Sequence, residues 1–255
     1  MPPLVLIHGA FTGGWIWRRT MRRLASLGHE SFAPTLTGCG DRSHLLRPET
    51  SLAMHVEDVA QLIFHEDLER AVLAGHGYGG MIASAVAHRH GGKVAGVIHL
   101  DSLIPERGTS FLDTLGRHAV RAGPDWLVPP PPAESFGITC KEMLRWLSVR
   151  LQPFPRSCME AAYPYGRRDR SLPSVYIRTT GHAGGCAVRA QAARAALAKA
   201  RVAELPTGPL PMVTNPGKLA KSLAEAAKGM DMVPPGMQGG KDRRAGERTR
   251  GNSDG

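Results

Sequence analysis

No apolar stretch in this sequence approaches the roughly 18 residues that a membrane-spanning helix requires, so a membrane span is excluded as a reading. Aromatic residues are scarce, at 5% of 255. No RNA-binding aromatic pattern or zinc finger accompanies the basic residues. The four cysteines, at 39, 140, 158 and 186, form no C-x-x-C pair. That spacing argues against a zinc knuckle and indicates no disulfide framework. The first residues carry no basic region, and the apolar run 4–7 is too short for a secretory signal, so a cytoplasmic protein is expected. Plentiful instead are glycine (30), proline (20) and positive charge, with 32 Lys and Arg against 22 Asp and Glu. The net +10 is scattered. Arg18, Arg19, Arg22 and Arg23 share one predicted helix, Arg167, Arg168 and Arg170 a loop, and Lys241, Arg243, Arg244, Arg248 and Arg250 the C-terminal tail. The expectation is no specific nucleic-acid partner and no membrane partner.

The order of elements points to an α/β fold. Residues 4–7 form a continuous apolar run closed by His8-Gly9, the signature of a buried parallel strand. A helix is expected over 15–27, stopped by Gly28. A short strand over 31–35 and a helix over 52–64 follow. Next come a strand over 71–74, a tight turn over 75–80, a helix over 81–88 and a strand over 94–100. Such alternation predicts βαβ units and a mostly parallel sheet flanked by helices. The pattern breaks near Pro105. Residues 106–173, with prolines 129–132 and a helix over 141–151, read as a small helical cap inserted into the domain. Order resumes with a strand over 174–178, a helix over 188–200, a strand over 201–205 and a helix over 218–227. The domain is expected to span 1–228, and the basic, Gly/Pro-rich residues 229–255 to form a disordered tail.

The turn Gly75-His76-Gly77-Tyr78-Gly79-Gly80 joins a buried strand to a helix. Its spacing is not the G-x-G-x-x-G of a dinucleotide site. It resembles instead the G-x-S-x-G nucleophile elbow of α/β-hydrolases. The surroundings match in order. Ile7-His8-Gly9-Ala10-Phe11 with Gly14-Trp15-Ile16-Trp17 resembles the oxyanion-loop segment of hydroxynitrile lyases and small methylesterases. Residues 33–43, Leu100 to Pro105, and Leu205-Pro206-Thr207-Gly208 are similar to further landmarks of that branch. The resemblance covers about residues 4–228 and implies an α/β-hydrolase fold with a helical cap.

It also implies chemistry that the residues here do not supply. The family uses serine, acid and histidine in that chain order: the serine attacks, the histidine takes its proton, and the acid orients the histidine. Gly77 stands at the serine position. No Asp or Glu occurs from 171 to 203, and His182 falls near the acid's place. Pro209 stands where the histidine belongs, and no histidine follows His182. Losing one triad member costs about 10⁴- to 10⁶-fold in rate.

The oxyanion-hole donors implied by the family are backbone N–H groups, here of Tyr78 and of Ala10 or Phe11, and these survive side-chain changes. Among side chains, His182 is the remaining candidate base. Asp101, at a strand end beside the elbow, could pair with His182, orient a ligand or close a loop. Tyr78 could donate through its hydroxyl or pack under the cap. His76 reads as a buried, satisfied histidine. His88 and His90 have poor metal-ligand spacing, so neither metal nor cofactor is expected. The favoured reading is a protein that binds a small carbonyl or ester-type molecule without hydrolysing it. A cofactor-free epimerase, cyclase or lyase using His182 and Asp101, and a weak esterase-type hydrolase, stay open, as does a homodimer.

Overall fold

The computed structural model describes residues 1–115, 126–166, 172–181, 186–197 and 200–231. In chain order the elements are β1 (Leu4–Ile7), α1 (Arg18–Ser26), β2 (Ser31–Phe32), α2 (Leu52–His65), β3 (Ala71–His76), α3 (Gly79–Arg89) and β4 (Val94–Leu100). After these come α4 (Phe111–Leu115), β5 (Leu127–Val128), α5 (Lys141–Ser148), β6 (Phe154–Pro155) and α6 (Arg156–Glu160). The chain then runs through β7 (Ser174–Thr179), α7 (Cys186–Leu197), β8 (Arg201–Leu205), α8 (Pro211–Thr214) and α9 (Pro216–Asp231).

Six strands pair in the order β2-β1-β3-β4-β7-β8, and every pairing is parallel. The expected parallel sheet is therefore present. Between β4 and β7 the chain leaves the sheet and forms the helices α4, α5 and α6 and the antiparallel pair β5-β6. The tail expected from 229 begins later, because α9 runs on through Asp231, and residues 232–255 lie outside the described residues.

Side-chain alternation along the strands builds two cores. Val5, Ile7, Ala71 and Leu73 face one way, toward Val56, Val59, Met81 and Ile82 of α2 and α3. Leu4, Leu6, Val72 and Ala74 face the other, toward Leu24 of α1 and Leu219, Ala220 and Leu223 of α9. All eight strand residues are buried, so the strands read as unbroken apolar runs.

Several boundaries differ from expectation for local reasons. The strand expected over 31–35 ends at Phe32, because Pro34 has no N–H to continue the ladder. The Ala33 carbonyl also lies so close to Gly14 that a Cβ there would overlap it. The third strand runs on to His76 and its helix starts at Gly79, which leaves only Gly77 and Tyr78 for the turn. Helix α2 begins on a Ser51 cap whose hydroxyl accepts from the Met54 N–H at 3.3 Å.

One carboxylate ties the loop after β2 to α2. Asp58 accepts from the Thr37 N–H at 2.6 Å, the Thr37 hydroxyl at 2.8 Å and Arg42 at 3.1 Å. Asp58→Ala removes the acceptor of the Thr37 N–H and hydroxyl and the ion-pair partner of Arg42, which keeps its bond to the Thr35 carbonyl. It is expected to lower the unfolding free energy by about 3 kcal/mol, read from urea melts with an unchanged m-value.

Candidate functional site

The turn between β3 and α3 is shaped by steric exclusion. A Cβ on Gly75 would overlap the carbonyl of Gly79, and one on Gly80 would overlap the hydroxyl of Ser102. A Cβ on Gly79 would sit 2.5 Å from the Ile7 carbonyl and 2.7 Å from the His8 carbonyl. These three glycines let the start of α3 press against the ends of β1 and β3. Gly77 is different. It adopts φ +52°, the left-handed region, yet among the described residues a Cβ placed on it comes no nearer than 4.0 Å to any neighbour, the Gly9 Cα. The turn has room for a side chain at 77 and carries none. The Gly77 N–H donates to Leu100 at 3.3 Å, and the Gly77 carbonyl accepts from Gly80 at 3.2 Å.

His8 and His76 hold two further loops against this turn. The Leu36 N–H donates to His8 Nε2 at 3.1 Å, which leaves the proton on Nδ1, 2.8 Å from the Gly9 carbonyl. His76 Nε2 lies 3.2 Å from the Pro209 carbonyl and donates to it. On its other side, His76 Nδ1 would sit 3.0 Å from a Cβ built on Gly9. The segments carrying Gly9, Gly77 and Pro209 therefore meet at one imidazole. Burial pushes His8 and His76 each down to about 4, so both are neutral at pH 7.

Ala10 and Phe11 follow directly. Phe11 has φ +67°, and its carbonyl accepts from the Gln152 N–H at 3.1 Å, which ties the insertion to this loop. Its ring meets Phe154 edge-on at 6.0 Å. Among the described residues the backbone N–H groups of Ala10, Phe11 and Tyr78 have no hydrogen-bond acceptor.

Tyr78 turns its side chain inward, where it is fully buried. His55 explains the orientation. His55 Nε2 donates to the Thr37 carbonyl at 2.9 Å, so Nδ1 is bare and accepts from the Tyr78 hydroxyl at 3.1 Å. The Tyr78 ring also meets Phe111 and Phe154 edge-on, at 5.6 and 5.0 Å. Burial pushes the phenol well above its ordinary value. The side chain packs beneath the insertion, and only the backbone of Tyr78 belongs to the turn's outer face.

Asp101 closes the loop at the end of β4. Its carboxylate accepts from the Thr179 N–H at 2.9 Å and from the Thr179 hydroxyl, while its own N–H donates to Ile177 at 3.0 Å. This clasp joins β4 to β7 and holds Asp101 at φ +41°, a costly conformation for a residue with a side chain. His182 lies outside the described residues. Ser102 faces His99 Nδ1 at 3.0 Å, and the Tyr176 hydroxyl donates to the Ser102 carbonyl at 3.2 Å. This serine–histidine pair is buried under Gly80, away from the turn's outer face.

The sequence reading passed over the anchoring roles of His8 and His55. His55 had a readable signal: it lies on the same helical arc as the apolar residues Leu52, Val56 and Val59. Among the described residues no cluster of His, Cys, Asp and Glu is placed to hold a metal ion.

Residues 4–222 match the model of the alpha/beta hydrolase family. With the parallel sheet, the glycine turn and the insertion in place, the chain belongs to that family. It is 35% identical over 168 residues to a Carbendazim hydrolyzing esterase of Nocardioides sp. (strain SG-4G), a match spanning 60% of this chain and 69% of that one. It is 27% identical to Methylesterase 8 of Arabidopsis thaliana, over 48% of this chain and 46% of that one. The chain thus matches less than half the length of that plant relative. Among solved structures, a variant of tomato Methylketone Synthase I complexed with beta-ketoheptanoate superposes with a TM-score of 0.76 at 19% identity, over 90% of this chain and 98% of that one.

Two predictions follow from this geometry. Gly75→Ala is expected to destabilise by at least about 3 kcal/mol because the new methyl group collides with backbone. Gly77→Ala is expected to cost only about 1–2 kcal/mol, the penalty of a left-handed φ. Equal losses in thermal melts would contradict the difference in space. The second concerns pH. His8 and His76 titrate near 6.5 when unfolded and near 4 when folded, so between these values the unfolded state binds more protons. Stability is full above about 6.5 and declines as pH falls toward about 4, by up to about 1.4 kcal/mol per pH unit for each histidine. His76→Asn is expected to flatten that slope in urea melts taken across this range.

Proposed function

We propose that this α/β-hydrolase binds a small carbonyl or ester-type molecule at the β3–α3 turn and does not hydrolyse it through a side-chain nucleophile. The observation that carries the reading is the open position at Gly77. The turn has the left-handed conformation and the free volume that a nucleophile would use, and the residue there has no reacting atom. The family's histidine position is Pro209, whose carbonyl is engaged with His76. The backbone supplies what remains. The N–H groups of Tyr78 and of Ala10 or Phe11 have no acceptor among the described residues and are suited to hold a ligand's carbonyl oxygen. The first turn of α3 adds the positive end of its dipole. Gly77 leaves the place of a serine side chain to the ligand itself. Keto compounds suit such a site, and the tomato protein of the same fold is complexed with one, beta-ketoheptanoate.

Ester hydrolysis by water held at the same donors is the second reading. The 35% identity to the Carbendazim hydrolyzing esterase favours it. A proton-transfer enzyme relying on Asp101 gains less support, because both of its carboxylate oxygens already hold Thr179.

The deciding experiment uses an activated aryl ester and a fluorophosphonate probe. The wild type is expected to stay unlabelled and to show no turnover above the uncatalysed rate. A Gly77→Ser, His182→Asp, Pro209→His variant is expected to gain labelling. Thermal shift of the wild type with short β-keto acids should raise the melting temperature without consuming the ligand. Labelling of the wild type overturns the proposal. Turnover without labelling establishes the water-hydrolysis reading in its place.

A further inference from the structure

Helix α1 carries Arg18, Arg19, Arg22 and Arg23, all exposed, and its buried positions are Thr20 and Leu24. At 3.6 residues per turn the four arginines fill a continuous arc of about 140°. No acidic residue occurs before Glu30. The arc continues onto the insertion, because Trp146 of α5 sits against it. Trp146 meets Trp15 edge-on at 5.2 Å, and the Arg19 guanidinium lies 5.7 Å from its ring centre. Arg150 lies 4.9 Å from the same centre and donates to the Trp146 carbonyl at 2.8 Å. Arg145 is exposed on α5, where the exposed acid is Glu142. Among the described residues, none of these six arginines takes part in an ion pair. Two exposed apolar side chains accompany these arginines, each four residues after one in sequence. Leu27 follows Arg23 and is 42% exposed, and Val149 follows Arg145 and is 74% exposed.

We propose that the joint face of α1 and α5 docks on an anionic phospholipid bilayer surface. Guanidinium groups match phosphate oxygens in charge and shape. A cationic helix face with apolar side chains at its margin suits the headgroup boundary, where the apolar groups enter the acyl region. A nucleic acid would use the charge but not Leu27 and Val149. The Trp146 ring already has two guanidinium groups packed against it, which compete with a stacking base. The sequence-based expectation of no membrane partner rests on the absence of a spanning segment, a ground that does not extend to peripheral contact. The proposal stands independently of the carbonyl-binding reading.

The test sediments the full-length protein with vesicles of phosphatidylcholine alone and of phosphatidylcholine with phosphatidylglycerol. Binding is expected only with phosphatidylglycerol and is expected to fall with added salt. The combined variant Arg18→Gln, Arg19→Gln, Arg22→Gln, Arg23→Gln should bind about 100-fold more weakly, and Val149→Ser about tenfold more weakly. Thermal melts verify that each variant is folded. If the combined variant melts early, the single exposed change Arg22→Glu takes its place and should still weaken binding about tenfold or more. Failure of the wild type to bind phosphatidylglycerol vesicles overturns the proposal. So does undiminished binding of the arginine variants, which would move the contact to another basic segment such as residues 241–250. Binding to duplex DNA that is lost in the arginine variants, together with vesicle binding indifferent to Val149→Ser, overturns the bilayer in favour of a nucleic acid.

Discussion

The start of α3 lies against the carboxyl ends of β1 and β3, and the site depends on that close approach. Gly79 touches the Ile7 and His8 carbonyls, Gly75 lies under Gly79, and Gly80 abuts Ser102. With helix and strand this near, two residues must reverse the chain, and Gly77 enters the left-handed region to do so. The same geometry sends the Tyr78 side chain inward, where it reaches His55, and leaves its backbone N–H at the head of the helix. A single bulky substitution at Gly75 would therefore shift the turn, the first turn of α3 and the packing under the insertion together. Elements that share one contact are energetically coupled in this way.

Around the turn, histidines serve as braces. His8 joins the Gly9 loop to Leu36, His55 joins Tyr78 to Thr37, and His76 joins the turn to Pro209. Each ring has one nitrogen donating to a carbonyl, and His8 and His55 also accept at the other, so the neutral tautomer is fixed by its partners. Burial reinforces this by penalising the imidazolium. Loops that would otherwise be independent are thus held in one arrangement by groups that stay uncharged at pH 7. The braces are strong because an unpaired polar group in the interior is expensive.

The alternation of apolar runs and helical periodicity made the sheet and its helices legible, because buried parallel strands advertise themselves as unbroken apolar segments such as Leu4–Ile7. The glycine turn was legible for a related reason, since close backbone approach at Gly75, Gly79 and Gly80 admits no other residue. Less readable were features set by distant contacts. Nothing local to Asp101 reveals that its carboxylate would hold Thr179, 78 positions away. Nothing local to Tyr78 reveals that His55 would take its hydroxyl. The early end of β2 is readable in principle from Pro34, which has no N–H to donate. Side-chain roles at this site depend on which loops meet, which is a property of the fold rather than of any short window.

The distinction between Gly77 and its neighbouring glycines bears on how such a site changes its chemistry. Gly75, Gly79 and Gly80 are imposed by packing, since any Cβ there collides with backbone or a buried hydroxyl. Gly77 is not, because among the described residues a Cβ there meets nothing nearer than 4.0 Å. A glycine with room for a side chain relieves the backbone strain of the turn, about 1–2 kcal/mol, and removes only the reacting atom. Pro209 likewise contributes through its backbone, its carbonyl held in the brace to His76. At both positions the backbone takes part in hydrogen bonds that need no side chain. On the proposed reading, the donors are peptide N–H groups, which persist when a side chain is exchanged, so recognition of a carbonyl group does not depend on a side-chain nucleophile.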